Sequence, residues 1–481
     1  MARRDGVRGT LVLVVVLLLV AGGVAVVRYD LVDRLRGDDD PSAAPTSEPA
    51  EVAPPPGVEV PEVVAPPAVA LVSQSTPTVD PTAVRRALQR YLRDRTLGSH
   101  VLAEVAPLDG DAAAYTLGGR SDATAVPAST TKVVTSTAAL LALGPDHVFT
   151  TEVRRRGSRL TLVGGGDPFL ERGPTRDGEL WPYPARADLQ DLAEQTAASL
   201  AADGTRRVSL AYDDTLFDGP QVNSRWESGY VASGEVSPTS ALWVDRGRVR
   251  EGLGRVADPS AEAARSFVEA LTAAGITVVG RPVAARAASG AVPVAAVDSA
   301  PLAQIVQRLL DVSDNDAAEV LLRQVGVATS GEGSIQAGRA GVRRLLRDAG
   351  VALGDSVLHD GSGLSRDNRL DPSVLVEVLR LAASDDHPGL RAVVTGLPVA
   401  GFTGSLTDRM DQGPAAGRGR VRAKTGTLSN VSALAGLATD VDGNVMVFVL
   451  MADRVPAASS LLARVTLDDA AAALGACACT G

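Results

Sequence analysis

From Ala83 onward the chain alternates apolar and polar positions in ways that define regular elements. Residues 83–97 carry the 3.6-residue period of an amphipathic helix, whereas Val101 to Ala106 and Ala113 to Leu117 predict a hairpin around Asp109-Gly110. A helix begins after Pro127 with Ser129-Thr130-Thr131-Lys132 and continues through Ala138, Ala139, Leu140 and Leu141. Strands are predicted at 150–153, 160–163 and 208–212, interrupted by loops rich in Gly, Pro and Asp. Helices return at 302–310, 317–325, 337–349 and 372–382. The end reads strand, strand, helix, over 432–439, 444–451 and 457–474. This order predicts a mixed α and β protein, a sheet flanked by helices.

The pattern upstream is different. Thr10 to Val27 is an almost unbroken apolar run of 18 residues, just long enough to cross a bilayer as a helix. Arg3, Arg4 and Arg8 precede it, which keeps residues 1–9 in the cytoplasm and sends the rest out. The run at 10–27 is therefore expected to be a transmembrane anchor or, because Gly23-Val24-Ala25 offers small residues at the right spacing, a cleaved signal segment. Residues 28–82 follow as a linker with 11 of the chain's 29 prolines between Pro41 and Pro81. Such a segment buries too little to offset its ordering entropy and should be an extended tether. Both alternatives put the folded part outside the cytoplasmic membrane.

Composition sharpens the search for chemistry. With 47 Lys+Arg against 57 Asp+Glu the net charge is −10, which argues against a nucleic-acid partner. Of those 47 cations only two are lysines, Lys132 and Lys424. A position that must lose a proton, or present a compact ammonium, cannot be arginine, so these two are the first candidates for chemistry. Four histidines, with no HExxH and no clustered Cys/His spacing, give no reason to expect a metal or a cofactor. Cys477 and Cys479 near the end read as a frayed tail.

Three short motifs stand out. Ser129 and Lys132, at i and i+3, share one face of a helix, so the amine can reach the hydroxyl; an ordinary N-cap with a solvated lysine is the alternative. Lys424-Thr425-Gly426-Thr427 precedes a hairpin and should lie on a sheet strand beside a cleft, Gly426 letting a ligand approach the backbone. Ser313-Asp314-Asn315 sits between two helical runs, where a hydroxyl and an amide could enter a shared cleft or simply cap a helix.

Ser-x-x-Lys, Ser-Asp-Asn and Lys-Thr-Gly in this order resemble the signature of penicillin-recognising serine enzymes. Leu162-Val163-Gly164-Gly165-Gly166-Asp167-Pro168, Asp360-Gly361-Ser362-Gly363-Leu364-Ser365-Arg366 and Leu397-Pro398-Val399-Ala400-Gly401 look like the class C low-molecular-mass penicillin-binding proteins, D-alanyl-D-alanine carboxypeptidases and endopeptidases. The resemblance implies a penicillin-binding-protein/β-lactamase-like transpeptidase domain, an antiparallel sheet flanked by helices, formed by 83–149 and 296–481. A mostly β domain would be inserted at 150–295, which fits the 184 residues from Ser129 to Ser313.

Carried over to this sequence, the resemblance makes Ser129 the nucleophile, Lys132 its proton acceptor, Ser313 a relay to the leaving amine and Asn315 a holder of the peptide chain. Lys424 would remain a cation that depresses Lys132. Thr425 and Thr427 would bind the terminal carboxylate, with the N–H groups of Ser129 and Thr427 as the oxyanion hole. Arg366, Asp213 and Leu428 match positions that line a pocket for diaminopimelate. The implied partners are peptidoglycan stem peptides ending in D-Ala-D-Ala, with β-lactams as inhibitors. A β-lactamase and a catalytically weak wall-binding scaffold are the alternatives.

Overall fold

A computed structural model of the chain describes residues 78–110, 112–118, 124–174, 183–252, 254–410 and 417–479. The apolar run at 10–27, and the linker as far as residue 77, lie outside the described residues. Asp80 accepts the Thr82 N–H and, with Pro81 at the first position, starts α1 (Pro81–Leu92). The predicted hairpin follows as β1 (Val101–Pro107) and β2 (Tyr115–Leu117). A 3-10 turn, Ala128–Thr130, then leads into α2 (Thr131–Leu143). Ser129 is thus in the turn before the helix, with Lys132 in its first turn.

The interval after α2 holds β3 (Thr150–Arg156), β4 (Arg159–Val163), α3 (Leu189–Ala201), β5 (Arg207–Asp213), α4 (Pro259–Ala273), β6 (Thr277–Val278), β7 (Val283–Ala284) and β8 (Val292–Asp298). These strands form one sheet in the order β6-β5-β4-β3-β8, with β7 also on β5; β4 and β5 run parallel, so a crossover is required. The crossover is α3. It packs with α4 over Val153, Leu160, Leu162 and Leu210, burying Leu189, Leu192, Phe267 and Leu271. Both helices begin at Asp N-caps, Asp188 and Asp258, and neither was predicted from the pattern.

Helices then dominate: α5 (Leu302–Val312), α6 (Asn315–Ser330), α7 (Ile335–Asp348), α8 (Pro372–Ala383) and the short α9 (Arg391–Thr395). The chain closes with β9 (Val421–Leu428), β10 (Val431–Thr439), β11 (Val445–Ala452) and α10 (Ser460–Gly475). With β1 and β2 these strands make an antiparallel sheet, order β2-β1-β11-β10-β9. Its middle strand, β11, is buried on both faces. Val447, Val449 and Met451 meet the core built from α2, α5, α6 and α8, while Met446, Phe448 and Leu450 meet a second core against α1 and α10. Period two thus explains a continuous apolar run, each side chain contributing about 1.5–3 kcal/mol on burial.

The C-terminal tail differs from expectation. Cys477 and Cys479 form a disulfide, Cys479 is buried in the second core, and its carbonyl accepts the Asp80 N–H at 2.7 Å. Docking against the start of α1 orders what two exposed thiols alone would have left loose. Among the described residues no helix is long and apolar enough to cross a membrane.

Candidate active site

The first motif closes as its spacing predicts. Lys132 Nζ lies 2.9 Å from Ser129 Oγ, and it also reaches Asn315 Oδ1 and the Ser362 carbonyl, both at 2.7 Å. Asn315 Nδ2 donates to the Glu235 carbonyl at 2.8 Å, which fixes Oδ1 as the atom facing the lysine. Two of the three contacts are therefore to oxygens that only accept. A neutral amine has two N–H groups for those oxygens and one lone pair left, which points at the Ser129 hydroxyl.

Burial supplies the neutral form. Lys132 is fully buried, and desolvation pushes its ammonium down to about 8, although Asp360, Glu319, Asp314 and Asp316 oppose the shift. The rate of acylation is accordingly expected to rise about tenfold per pH unit below 8 and to level above it, because only the neutral amine takes the proton. A rate of penicillin acylation that is flat from pH 6 to 9 would rule out a base with this ionisation.

Four segments hold that lysine in place. The turn carrying Ser129 has Ala128 at φ 47°, an unusual value for a residue with a Cβ, and Thr131 Oγ1 donates to the Ala128 carbonyl at 2.8 Å. Gly363 (φ 85°) packs so tightly beneath it that a Cβ there would sit 1.8 Å from the Ala128 oxygen. Gly361 and Ser362 donate their N–H groups to Glu319 Oε1 on α6, whose carboxyl is raised to about 8 by burial and by Asp360. Asp360 itself accepts from the N–H groups of Gly363 and Ser365, from Asn368 Nδ2 and from Trp226 Nε1. Asp360→Ala would orphan four donors in a fully buried position, so a loss of about 3 kcal/mol or more is expected in urea-unfolding measurements. An unchanged midpoint would show that this network does not hold the segment.

The second motif lies at the junction of α5 and α6. Ser313 caps α5 in the left-handed region (φ 59°), Asp314 caps α6 by accepting the Ala317 N–H, and Asn315 is the first residue of α6. Two ion pairs tie this junction to the preceding segment. Arg246 Nη1 meets Asp314 Oδ2 at 2.7 Å and Arg255 Nη2 meets Asp316 Oδ2 at 2.8 Å, the latter pair only 4% exposed on either side. Asp245, Arg246 and Gly247 all have positive φ, a left-handed turn on which Arg246 is carried. Such pairs fix geometry more surely than they add stability.

The third motif occupies β9, the outer strand of its sheet. Ala423 N–H donates to the Pro398 carbonyl and the Val421 carbonyl accepts from Ala400, so odd-numbered residues turn their backbone groups outward. By that alternation the N–H groups of Thr425 and Thr427 face the open edge. The even-numbered positions 424 and 426 lie on the face toward the Ser129 turn. A Cβ on Gly426 would lie 2.5 Å from the Pro127 carbonyl, so this glycine admits the nucleophile turn rather than a ligand. Of the two threonines, Thr427 is exposed, whereas Thr425 is buried with its hydroxyl 3.1 Å from Ser405 Oγ.

Lys424 departs from expectation as well. It is fully buried, its Nζ donates to the Thr425 carbonyl at 3.0 Å, and burial together with Lys132 and Arg409 pushes it well below the ordinary lysine range. Two buried ammonium groups repel each other, and the carboxylates stand around Lys132. Burial and Lys132 therefore weaken the charged form of Lys424, which was expected to stay a cation.

The pocket residues separate into two places. Arg366 Nε pairs with Glu227 Oε1 at 2.6 Å and its Nη1 donates to the Ser429 carbonyl; Leu428 packs with Trp226, Tyr230 and Leu364. Asp213 is elsewhere, at the end of β5. Burial raises its carboxyl, but hydrogen bonds from Thr215 and Ala287, with Arg286 nearby, outweigh that and hold it below the usual range. It lines a different cavity with Thr150, Gly165, Leu216 and Arg286. Glu227 and Glu319 give no signal in sequence because their partners lie 139 and 42 residues away, and Asp360, although it opens one of the family-like stretches, gives no sign there of its buried role.

A serine, a buried lysine and a strand edge at one cleft define a serine hydrolase of the penicillin-recognising fold. The chain matches the D-Ala-D-Ala carboxypeptidase 3 (S13) family over residues 84–255 and 250–474, and it belongs to that family. It is 33% identical over 442 residues to carboxypeptidase DacB of Mycolicibacterium smegmatis, covering 90% of this chain and 92% of that one. It is 32% identical over 412 residues to a D-alanyl-D-alanine carboxypeptidase of an Actinomadura strain, covering 66% and 71%. The solved structure of penicillin binding protein 4 (dacB) from Haemophilus influenzae shares the fold with a TM-score of 0.64 at 22% identity, over 81% of this chain and 98% of that chain.

Proposed function

We propose that Ser129 is the nucleophile of this serine-type D-alanyl-D-alanine carboxypeptidase and that Lys132 takes its proton. The observation that carries the assignment is the lysine's contact set, two accepting oxygens and one hydroxyl around a buried amine. Ser129 Oγ attacks the carbonyl of the penultimate D-alanine as its proton passes to Nζ. The oxyanion is met by the N–H groups of Ser129 and Thr427. Collapse expels the terminal D-alanine, its amine taking a proton from Lys132 by way of Ser313, and water then hydrolyses the Ser129 ester. Asn315 and the outer edge of β9 hold the peptide chain, Thr427 with Thr425 receives the terminal carboxylate, and Arg366 with Leu428 flanks the stem-peptide side chain. The position of Asp213 speaks against including it.

The same proposal makes 83–149 and 296–481 the peptidase part and 150–295 the insertion, and makes the run at 10–27 a membrane anchor or a cleaved signal segment that puts the peptidase outside the cytoplasmic membrane. Incubating the protein with a stem pentapeptide ending in D-Ala-D-Ala should release D-alanine, and penicillin should block release. Penicillin labelling without D-alanine release would favour the scaffold alternative, and rapid turnover of penicillin would favour a β-lactamase. Cleavage of a cross-linked dimer would add endopeptidase activity.

A further inference from the structure

The segment that presents the Ser362 carbonyl to Lys132 also lines, through Leu358 and His359, a cavity of about 660 Å³ against α7. Its lining includes Arg225, Arg339, Arg343 and His359 and no carboxylate. Arg339 and Arg343 are four residues apart on α7 and so share one face. Arg225 already has a partner, Asp367, at 2.5 Å. Arg339 Nε and His359 Nδ1 are buried atoms without a hydrogen-bond partner among the described residues.

Arginine is common in this chain, and its part-buried arginines elsewhere meet carboxylates, as Arg246 does Asp314, Arg255 Asp316, Arg380 Glu377 and Arg409 Asp468, or backbone carbonyls, as Arg323 does those of Asp218, Gly333 and Pro220. Around this cavity Arg225 meets Asp367, whereas Arg339 and Arg343 meet no carboxylate among the described residues. Burial, Arg225 and Arg343 lower the Arg339 guanidinium against a smaller opposing effect of Asp360, and burial with Arg339 and Arg225 lowers His359 against Asp367 and Asp360. Mutual repulsion of this kind opposes folding, and a bound anion would relieve it. Guanidinium forks match tetrahedral oxyanions by paired hydrogen bonds. A single carboxylate balances one of the two charges on α7 and the two carboxylates of a diacid are held apart by its carbons, whereas a phosphate monoester brings two charges and three oxygens to one centre. Ile335, Leu353 and Leu358 add apolar surface beside the cations for the organic portion of such a ligand.

We propose that this cavity is a binding site for a phosphate monoester, its phosphate held by Arg339, Arg343 and Arg225 and its organic portion seated on Ile335, Leu353 and Leu358. The site is separate from the Ser129 cleft, and the proposal does not depend on the function assigned there. Calorimetric titration of the full chain at constant ionic strength tests it with inorganic phosphate, glucose 1-phosphate and succinate. Saturable binding of glucose 1-phosphate is expected, at least tenfold tighter than succinate and several-fold tighter than inorganic phosphate. The double variant Arg339→Gln/Arg343→Gln, shown to be folded by near-ultraviolet circular dichroism, should bind the ester at least tenfold more weakly. Should it not fold, the exposed Arg343→Gln alone should weaken binding several-fold. Absence of saturable binding, equal affinity for ester and succinate, equal affinity for ester and free phosphate, or unchanged affinity in the folded variant overturns the proposal.

Discussion

Ser129→Ala is expected to abolish covalent labelling by a fluorescent penicillin and to cut D-alanine release by on the order of 10⁴-fold or more. The substitution removes one oxygen from a partly exposed turn and leaves Lys132 with both of its accepting partners, Asn315 Oδ1 and the Ser362 carbonyl. Fold and peptide binding should therefore survive. Labelling of the variant at the wild-type level would place the nucleophile elsewhere.

Lys132→Arg is expected to lower the acylation rate by about 10³-fold, near the middle of the range for loss of a general base. A guanidinium keeps its proton at any accessible pH, and the lysine's surroundings leave no unoccupied direction for a wider head group. Lys424→Arg tests something different. It installs a permanent cation where burial and Lys132 now discharge an ammonium, so it should depress Lys132 further and move the pH–rate profile to the acid side, with a smaller loss of rate. Equal losses in the two variants, with no displacement of the profile, would refute the division of labour between the lysines.

How much of this was legible beforehand varies by element. Ser129, Lys132, Ser313, Asn315 and Lys424 were readable because local spacing and residue scarcity both single them out. The surroundings were not. Glu319 looks like an ordinary surface carboxylate in sequence and Asp360 is no more than the first residue of a family-like stretch; only the fold sets them against the backbone of the segment that Lys132 touches. The burial that lowers Lys424 was hidden for the same reason, since desolvation is a property of packing and not of neighbours in the chain. Gly426 was read as an opening for ligand, whereas the obstacle it avoids, the Pro127 carbonyl, lies some 300 residues earlier. Helices α3 and α4 had visible Asp caps, but alanine-rich faces gave a weak period and the resemblance pointed to strands. Within the β9 and β10 hairpin, by contrast, period two and the turn were enough.

The outer edge of β9 carries a liability as well as a site. An unpaired strand edge that can add a short peptide can also add the edge of another protein molecule, which is how sheets stack into aggregates. Here the opening is short. Pro398 to Ala400 already pair with Val421 to Ala423, leaving only Lys424 to Leu428 free, and the chain turns back at Asn430. Five residues suit the tail of a stem peptide but give a second sheet little length on which to zip. Restricting the exposed edge by length limits the pairing open to a second copy while leaving room for a peptide.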